Sequence, residues 1–407
     1  MTIHLVNRAI SDEELEGRFA PVFKKIAAGA VERERNRTLP LEEIKLLKET
    51  GFGALRVPVE LGGLGASLRQ TFDLLIALAA ADSNLPQALR AHFNLVEDLR
   101  LNMNEAVRSR WLRAIADGAL IGVAVTELGV GAVDRYRTAV TSGGADLRLN
   151  GTKYYTTGTL YADHLIVAAD QNGKRVSVLV DTKQPGVSVQ DDWDGFGQRL
   201  TASGTAEFRN VEIPEDRILG PGYGTEGRVF GTAHVQLILL ATLAGIARRA
   251  AADTADWIRQ RTRTFTHATA DLPRNDPLVQ QVIGRLSAAA FGARATVLAA
   301  VDELARTLDG RHQDPQQLDS SELAAAQAQV VAIKLVLDAT TELFEVGGAS
   351  LSSEKLAIDR HWRNARTIAS HNPAIFKLRS IGAHELNDEA LPYAWSAGVR
   401  RAERDGN

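Results

Sequence analysis

Hydrophobic positions change period twice along this chain. From the N-terminus to about residue 120 they recur with helical spacing. "SDEELEGRFAPVFKKIAAGAVERERN" opens on Ser11 with Glu14 three positions on, a capping box. "LPLEEIKLLKETGFGAL" reads as a short helix closed by Gly51, followed by the turn "PVELGGLGAS". "SLRQTFDLLIALAAADSNLPQALRAHFNLVEDLRL" reads as two helices broken near Asp82-Ser83-Asn84.

From residue 121 to about 225 the pattern alternates. "TAVTSGGADLRLNGTKYYTTG" and "DHLIVAADQNGKRVSVLVD" are rich in β-branched residues, and Asn150-Gly151 and Asn172-Gly173 are hairpin signals. Short strands at this spacing predict a small antiparallel sandwich or barrel. From 226 to 407 long helical patterns return. Three helices are expected, within 228–263, 276–310 and 320–348, and their alanine content suits close packing in a bundle or an oligomer interface. The expected domains are therefore 1–120, 121–225 and 226–407, an α+β chain with its sheet in the middle.

Composition narrows the chemistry by exclusion. A net charge of −3 gives no reason to expect nucleic-acid binding. With no cysteine, disulfides, thiolate catalysis and cysteine metal sites are out. The N-terminus lacks the basic and apolar regions of a signal peptide. No run of about 18 uninterrupted apolar residues is present, so no membrane span is expected and a cytoplasmic location is. The nine histidines form no metal-binding cluster, and no metal site is expected. There is no G-x-S-x-G elbow. "GGLG" at 62–65 lacks the flanking strand of a dinucleotide fingerprint and reads as a structural turn.

The ordered motifs carry more. Thr126-Glu127, "LNGTKYYTTG" (149–158), "FRNVEIPEDRILG" (208–220), "RTRTF" (261–265) and "FEVGGAS" (344–350) together resemble the acyl-CoA dehydrogenase superfamily. The resemblance implies three domains: N-terminal helical, middle antiparallel β, and a C-terminal helical bundle. It also implies cofactor-binding roles. Thr126, Tyr155 and Thr157 would meet the flavin ring, Arg263 its phosphate and Phe265 the neighbouring ring system. The Gly347, Gly348 and Ser350 loop would reach a cofactor on an adjacent subunit.

A dehydrogenase of this family needs an ionised carboxylate as base. Relatives keep it in one of two places. In the C-terminal turn, this chain has Ser370-His371-Asn372-Pro373. On the first long C-terminal helix, counting back from Gly245, it has Val235 beside Gln236. Neither place holds an acid. The serine usual after the first flavin motif is also missing, since Gly131 is followed by Ala132.

"DDW...GQR...SGT" (191–205), His92-Phe93 and "RHWRNARTIASHNP" (360–373) are instead similar to a subgroup, the flavin-dependent monooxygenases related to dibenzothiophene monooxygenase and the sulfur-acquisition oxidoreductases. That similarity implies a two-component system. A separate NAD(P)H:flavin reductase would supply reduced FMN, with FAD the alternative. A C4a-hydroperoxyflavin would then oxygenate a sulfur, nitrogen or aromatic carbon centre of a small molecule. Thr157 would donate a hydrogen bond near N5, and His92 and His371 would donate or orient protons. Asn372 stands where relatives carry aspartate, so no named substrate is transferred. Phe93, Trp193 and Ser203 would line the substrate pocket. Of Arg360, Arg363 and Arg366, two are expected to be structural, with Trp362 in the core. A homotetramer is expected. An acyl-CoA dehydrogenase with an unrecognised base and a non-catalytic flavin-binding relative are the rival readings.

Overall fold

The computed structural model describes residues 10–128, 136–143, 146–221, 229–308 and 314–393. Gly131 and Ala132 lie outside the described residues.

Helix α1 (Asp12–Asn36) starts on the expected box: Ser11 Oγ accepts from the Glu14 N–H, and the Glu14 carboxylate accepts from the Ser11 N–H. After α2 (Leu41–Glu49) the "GGLG" segment turns tightly on itself. A Cβ at Gly63 would lie 2.1 Å from the Val57 carbonyl oxygen, so the glycine serves packing and not phosphate.

The next helical run divides into three pieces: α3 (Leu68–Ala81), α4 (Asn84–Ala88) and α5 (Arg90–Leu101). Asp82 holds the first break by accepting from the Asn84 backbone and side chain and from the Arg33 guanidinium. The second break, at Leu89, has no sequence signal. Helix α6 (Glu105–Ala116) closes this part.

Eight strands follow: β1 (Ile121–Ala124), β2 (Ala139–Gly143), β3 (Asp146–Lys153), β4 (His164–Gln171), β5 (Lys174–Asp181), β6 (Val187–Val189), β7 (Ala206–Ile213) and β8 (Ile218–Pro221). They form one sheet in the order β6-β7-β3-β2-β4-β5-β8, with β1 on β4. Most pairings are antiparallel, but β1 and β2 each run parallel to β4. Asn172-Gly173 makes the expected tight hairpin, with φ of 54° and 78°. Asn150-Gly151 does not. It sits inside β3 at a bulge against β7, where a Gly151 Cβ would strike Thr138 at 2.3 Å.

The C-terminal helices are α7 (Gly231–Gln260), α8 (Pro277–Leu308), α9 (Pro315–Glu342), α10 (Arg360–His371) and α11 (Ala374–Asn387). Every residue of 236–247 is buried, which makes α7 the axis of the main core. Gly245 lets α3 approach: a Cβ there would meet the Ile76 carbonyl oxygen at 2.5 Å. Helices α7, α8 and α9 are long and apolar enough to cross a membrane by length and composition. Helix α7 instead buries 72% of its apolar window inside the protein, against 28% for α8 and 44% for α9.

Candidate active site

One wall of the site grows out of the sheet. Lys153, at the end of β3, is fully buried against Glu127 (2.7 Å) and under the Tyr136 ring (3.8 Å). Burial pulls the Lys153 ammonium down to about 8. Burial also pushes the Glu127 carboxyl up, but Lys153 and the Arg137 and Thr138 N–H groups outweigh it and hold it below the usual range. These motif residues are therefore scaffold. Thr126 lies beside them: its carbonyl accepts from the Tyr154 N–H at 2.8 Å, and the residue is exposed.

Past this clamp the chain turns. Tyr155 adopts φ 56° and stays 56% exposed, its ring edge-on to Trp193 at 6.0 Å. Thr157 is buried beside Ser203, Oγ to Oγ, at 2.8 Å; Ser203 reaches Thr201 at 2.7 Å, and Thr201 donates to the Gln198 carbonyl at 2.9 Å. A carbonyl can only accept, so it fixes the direction of the row. Thr201 is committed as donor to Gln198, Ser203 to Thr201 and Thr157 to Ser203. Thr157 therefore offers lone pairs to the site, which corrects its expected role as a donor.

The two long motifs prove to be one packed unit. Asp192 accepts from both the N–H and the hydroxyl of Thr205. Trp193 donates its indole N–H to Gly197, and Arg37 holds the Trp193 carbonyl. Asn364 of α10 accepts from the Gln198 N–H at 2.6 Å, and a Cβ on Gly197 would strike the Arg363 carbonyl oxygen at 2.2 Å. Arg360 is buried on Asp253, while Arg363 pairs with Asp359 and Glu34, so both arginines are structural. Trp362 is not core: it is 37% exposed and stacks on Phe196.

The other expected site residues lie on helices, and here the sequence expectations need correction. His92 points away from His371. Its Nε2 donates to the Gly53 carbonyl (2.8 Å), and its Nδ1 accepts from the Ile121 N–H (3.3 Å). Burial pushes it down to about 4, so it is a neutral side chain locked by backbone. Phe93 is likewise core, 2% exposed and edge-on to Phe52.

The α5 residue that meets His371 is Arg90, whose guanidinium donates to His371 Nε2 at 3.3 Å. His371 touches solvent but is crowded by protein. Desolvation first and Arg90 second push its imidazole down to about 3, which favours the neutral form near pH 7. Asn372 does not bond the imidazole. Its Nδ2 donates to Gln236 Oε1 at 3.3 Å, and its carbonyl accepts from Gln329. The two segments where dehydrogenase relatives carry their base thus converge: Asn372 of the turn meets Gln236, the neighbour of Val235, and neither segment holds an acid there. Sequence reasoning missed Arg90, Asn94, His234 and Asp98. The helical period of α5 was the signal available for the first, second and fourth, since they share a face at i, i+4 and i+8.

A second group gathers at another end of the bundle. Arg261 lies over Phe265 and Trp257 and donates to the Gly347 carbonyl at 3.1 Å. A Cβ on Gly348 would meet the Phe265 ring at 2.7 Å. Arg263, Phe265 and Ser350 are exposed there, and no described residue pairs with the Arg263 guanidinium. No hydrogen bond or ring contact joins this group to Tyr155, Thr157, Trp193 or Ser203 among the described residues.

Comparison with known proteins agrees with this arrangement. Three acyl-CoA dehydrogenase models match in order: the N-terminal domain over residues 20–119, the middle domain over 122–211 and the C-terminal domain over 237–374. The chain belongs to the acyl-CoA dehydrogenase superfamily, in the subgroup of flavin-dependent monooxygenases related to dibenzothiophene monooxygenase. It is 29% identical over 385 residues to the dibenzothiophene monooxygenase of Mycolicibacterium goodii, covering 89% of this chain and 91% of that one. It is 28% identical to the probable FMNH2-dependent monooxygenase SfnC of Pseudomonas putida, covering 92% and 94%. The crystal structure of FMN-bound TdsC from Paenibacillus sp. A11-2 superposes with a TM-score of 0.84 at 29% identity, covering 94% and 99%.

Proposed function

We propose that this chain is the oxygenase of a two-component system. It takes reduced FMN from a separate NAD(P)H:flavin reductase and inserts one atom of O2 into a sulfur, nitrogen or aromatic carbon centre of a small organic molecule. The names of its relatives, a dibenzothiophene monooxygenase, an FMNH2-dependent monooxygenase and an FMN-bound TdsC, support the cofactor and the reaction. The observation that carries the reading is the absence of a carboxylate at Val235 and in the 370–373 turn, two segments joined by the Gln236–Asn372 contact, where dehydrogenation would need one.

The residues present fit a flavin. Tyr155 and Trp193 present aromatic surface left open by the protein, and Thr157 presents acceptor lone pairs suited to a ring N–H. When bound, reduced flavin supplies the two electrons that let one oxygen atom transfer and the other leave as water. Arg90, always charged, stabilises negative charge developing beside His371. The Thr157–Ser203–Thr201 row has its hydroxyl hydrogens committed within the protein, so only its acceptor lone pairs face a ligand.

Arg263, Phe265 and the Gly347–Ser350 loop would serve the phosphate and ring system of a cofactor carried by another copy, within a homotetramer. Exposed Leu278, Phe291, Ile375, Phe376 and Leu386 on α8 and α11 support that interface.

The test supplies reductase, NADH, FMN and isotope-labelled O2 with a panel of sulfones, thiophenes, indoles and amines. Labelled oxygen in a product, with NADH consumption coupled to it, is the expected result. NADH oxidation that yields only hydrogen peroxide across the panel overturns the reading. Bleaching of tightly held FAD by an acyl-CoA would mark a dehydrogenase instead.

A further inference from the structure

Beyond Arg90, the same side of α5 carries two residues that the oxygenase reading leaves unused, Asn94 and Asp98. Arg90, Asn94 and Asp98 stand one above another, spanning ~12 Å at 1.5 Å per residue. Asn94 is oriented from α7: His234 Nδ1 donates to its Oδ1 at 3.2 Å, which leaves its Nδ2 to donate to Asp98 at 3.0 Å. Among the described residues that is the only side-chain hydrogen bond Asp98 makes, and no lysine or arginine pairs with it there. Its neighbour Glu97 faces the other way and takes both Arg56 and Arg100. Asp98 reaches solvent yet is crowded by protein, and burial first and Glu97 second push it up to about 7. A solvent-reaching carboxylate held in place by Asn94, with no cation beside it among the described residues, is open to a cationic ligand.

We propose that Asp98, oriented through Asn94 and His234, recognises a protonated amine on the substrate, whose oxidisable atom lies toward Arg90 and His371. The inference rests on the oxygenase reading for the existence of an organic substrate, but its readout is binding and not turnover. Among the described residues near Asp98 the other ionisable groups keep their state between about pH 6 and about pH 8. His234 sits at about 4 and His371 at about 3, Arg90 stays charged, and Arg56 and Arg100 hold Glu97 ionised against its burial. Asp98 is the group that gains charge over that range.

The experiment is calorimetric titration of the FMN-saturated protein with two probes, indole and 3-(2-aminoethyl)indole. The amine is expected to bind ~10-fold tighter or more, the scale of a charge-assisted hydrogen bond, and the preference should grow from about pH 6 to about pH 8. Asp98→Asn should reduce the preference to about two-fold or less with FMN affinity and melting temperature kept. Equal affinity for both probes, or a preference that survives Asp98→Asn, overturns the proposal. Should the variant fail to fold, the wild-type pH profile decides: a preference flat with pH overturns it. Labelled-oxygen transfer to indole without any amine preference would sink this inference and leave the oxygenase reading standing. Amine preference without oxygen transfer to any substrate would do the reverse.

Discussion

The two faces of α5 behave as different molecules. One face carries His92, Phe93 and Glu97, all buried and all satisfied. The other carries Arg90, Asn94 and Asp98, which meet His371, His234 and solvent. The recognisable residues, a histidine and an aromatic, lie on the first. The residues proposed to carry the chemistry lie on the second, two residues away. A helix turns 100° per residue, so two positions are enough to carry a side chain from pocket to core.

The sharpest test of this contrast uses adjacent acids. Glu97→Gln leaves Arg56, nearly buried, facing a neutral partner, and should cost about 3–5 kcal/mol in denaturant unfolding. Asp98→Asn removes no ion pair and, measured near pH 4 where the native carboxyl is still protonated, should change stability by no more than about 1 kcal/mol. The pH dependence should also differ in sign. Glu97 is held below its ordinary value, so its stabilisation is present above the unfolded pKa and is lost as pH falls through the folded one. Asp98 is raised to about 7, so its carboxyl subtracts stability as pH rises from about 4, its unfolded value, toward 7. Equal costs for the two variants would mean that the faces do not differ. Next in size is His92→Phe. It strands the Gly53 carbonyl and the Ile121 N–H and should cost about 2 kcal/mol, while product formed per folded molecule stays within about two-fold of wild type. Lost product at unchanged stability would return a catalytic role to His92.

The same geometry explains what the sequence could and could not reveal. Capping boxes, the Asn172-Gly173 turn and the long C-terminal helices are local, so residues within a few positions decide them. Asn150-Gly151 has the same local signal, yet pairing with β7 overrides it and makes a bulge. The motifs containing Tyr155, Thr157, Trp193 and Ser203 do come together, because strand ends and the 191–205 loop are held by clamps such as Glu127–Lys153 and Asp192–Thr205. The helical wall was not legible. Which face of α5 meets α10 depends on packing against Phe52 and Gly53 on one side and α7 on the other, partners about 40 and 140 residues away. The missing base was legible by position, but its replacement by a contact between Gln236 and Asn372 was not, because those residues are 136 apart.

The smallest effect should come from Arg90. Arg90→Met keeps the length of the side chain and removes the donor that meets His371. Fold and FMN binding should survive, because the bond lies at an exposed helix edge and Tyr155, Thr157 and Trp193 are untouched. What should fall is coupling: product per NADH drops about 10-fold as charge near His371 loses its guanidinium, with the remainder released as peroxide. His371, relieved of one of its two depressing influences, should titrate higher than about 3 yet stay below its ordinary value, since burial is the larger cause. Nuclear magnetic resonance of the imidazole would follow that shift. If coupling is unchanged in Arg90→Met but collapses in His92→Phe at intact stability, the chemistry belongs to the buried face of α5, and the assignment of its two faces must be exchanged.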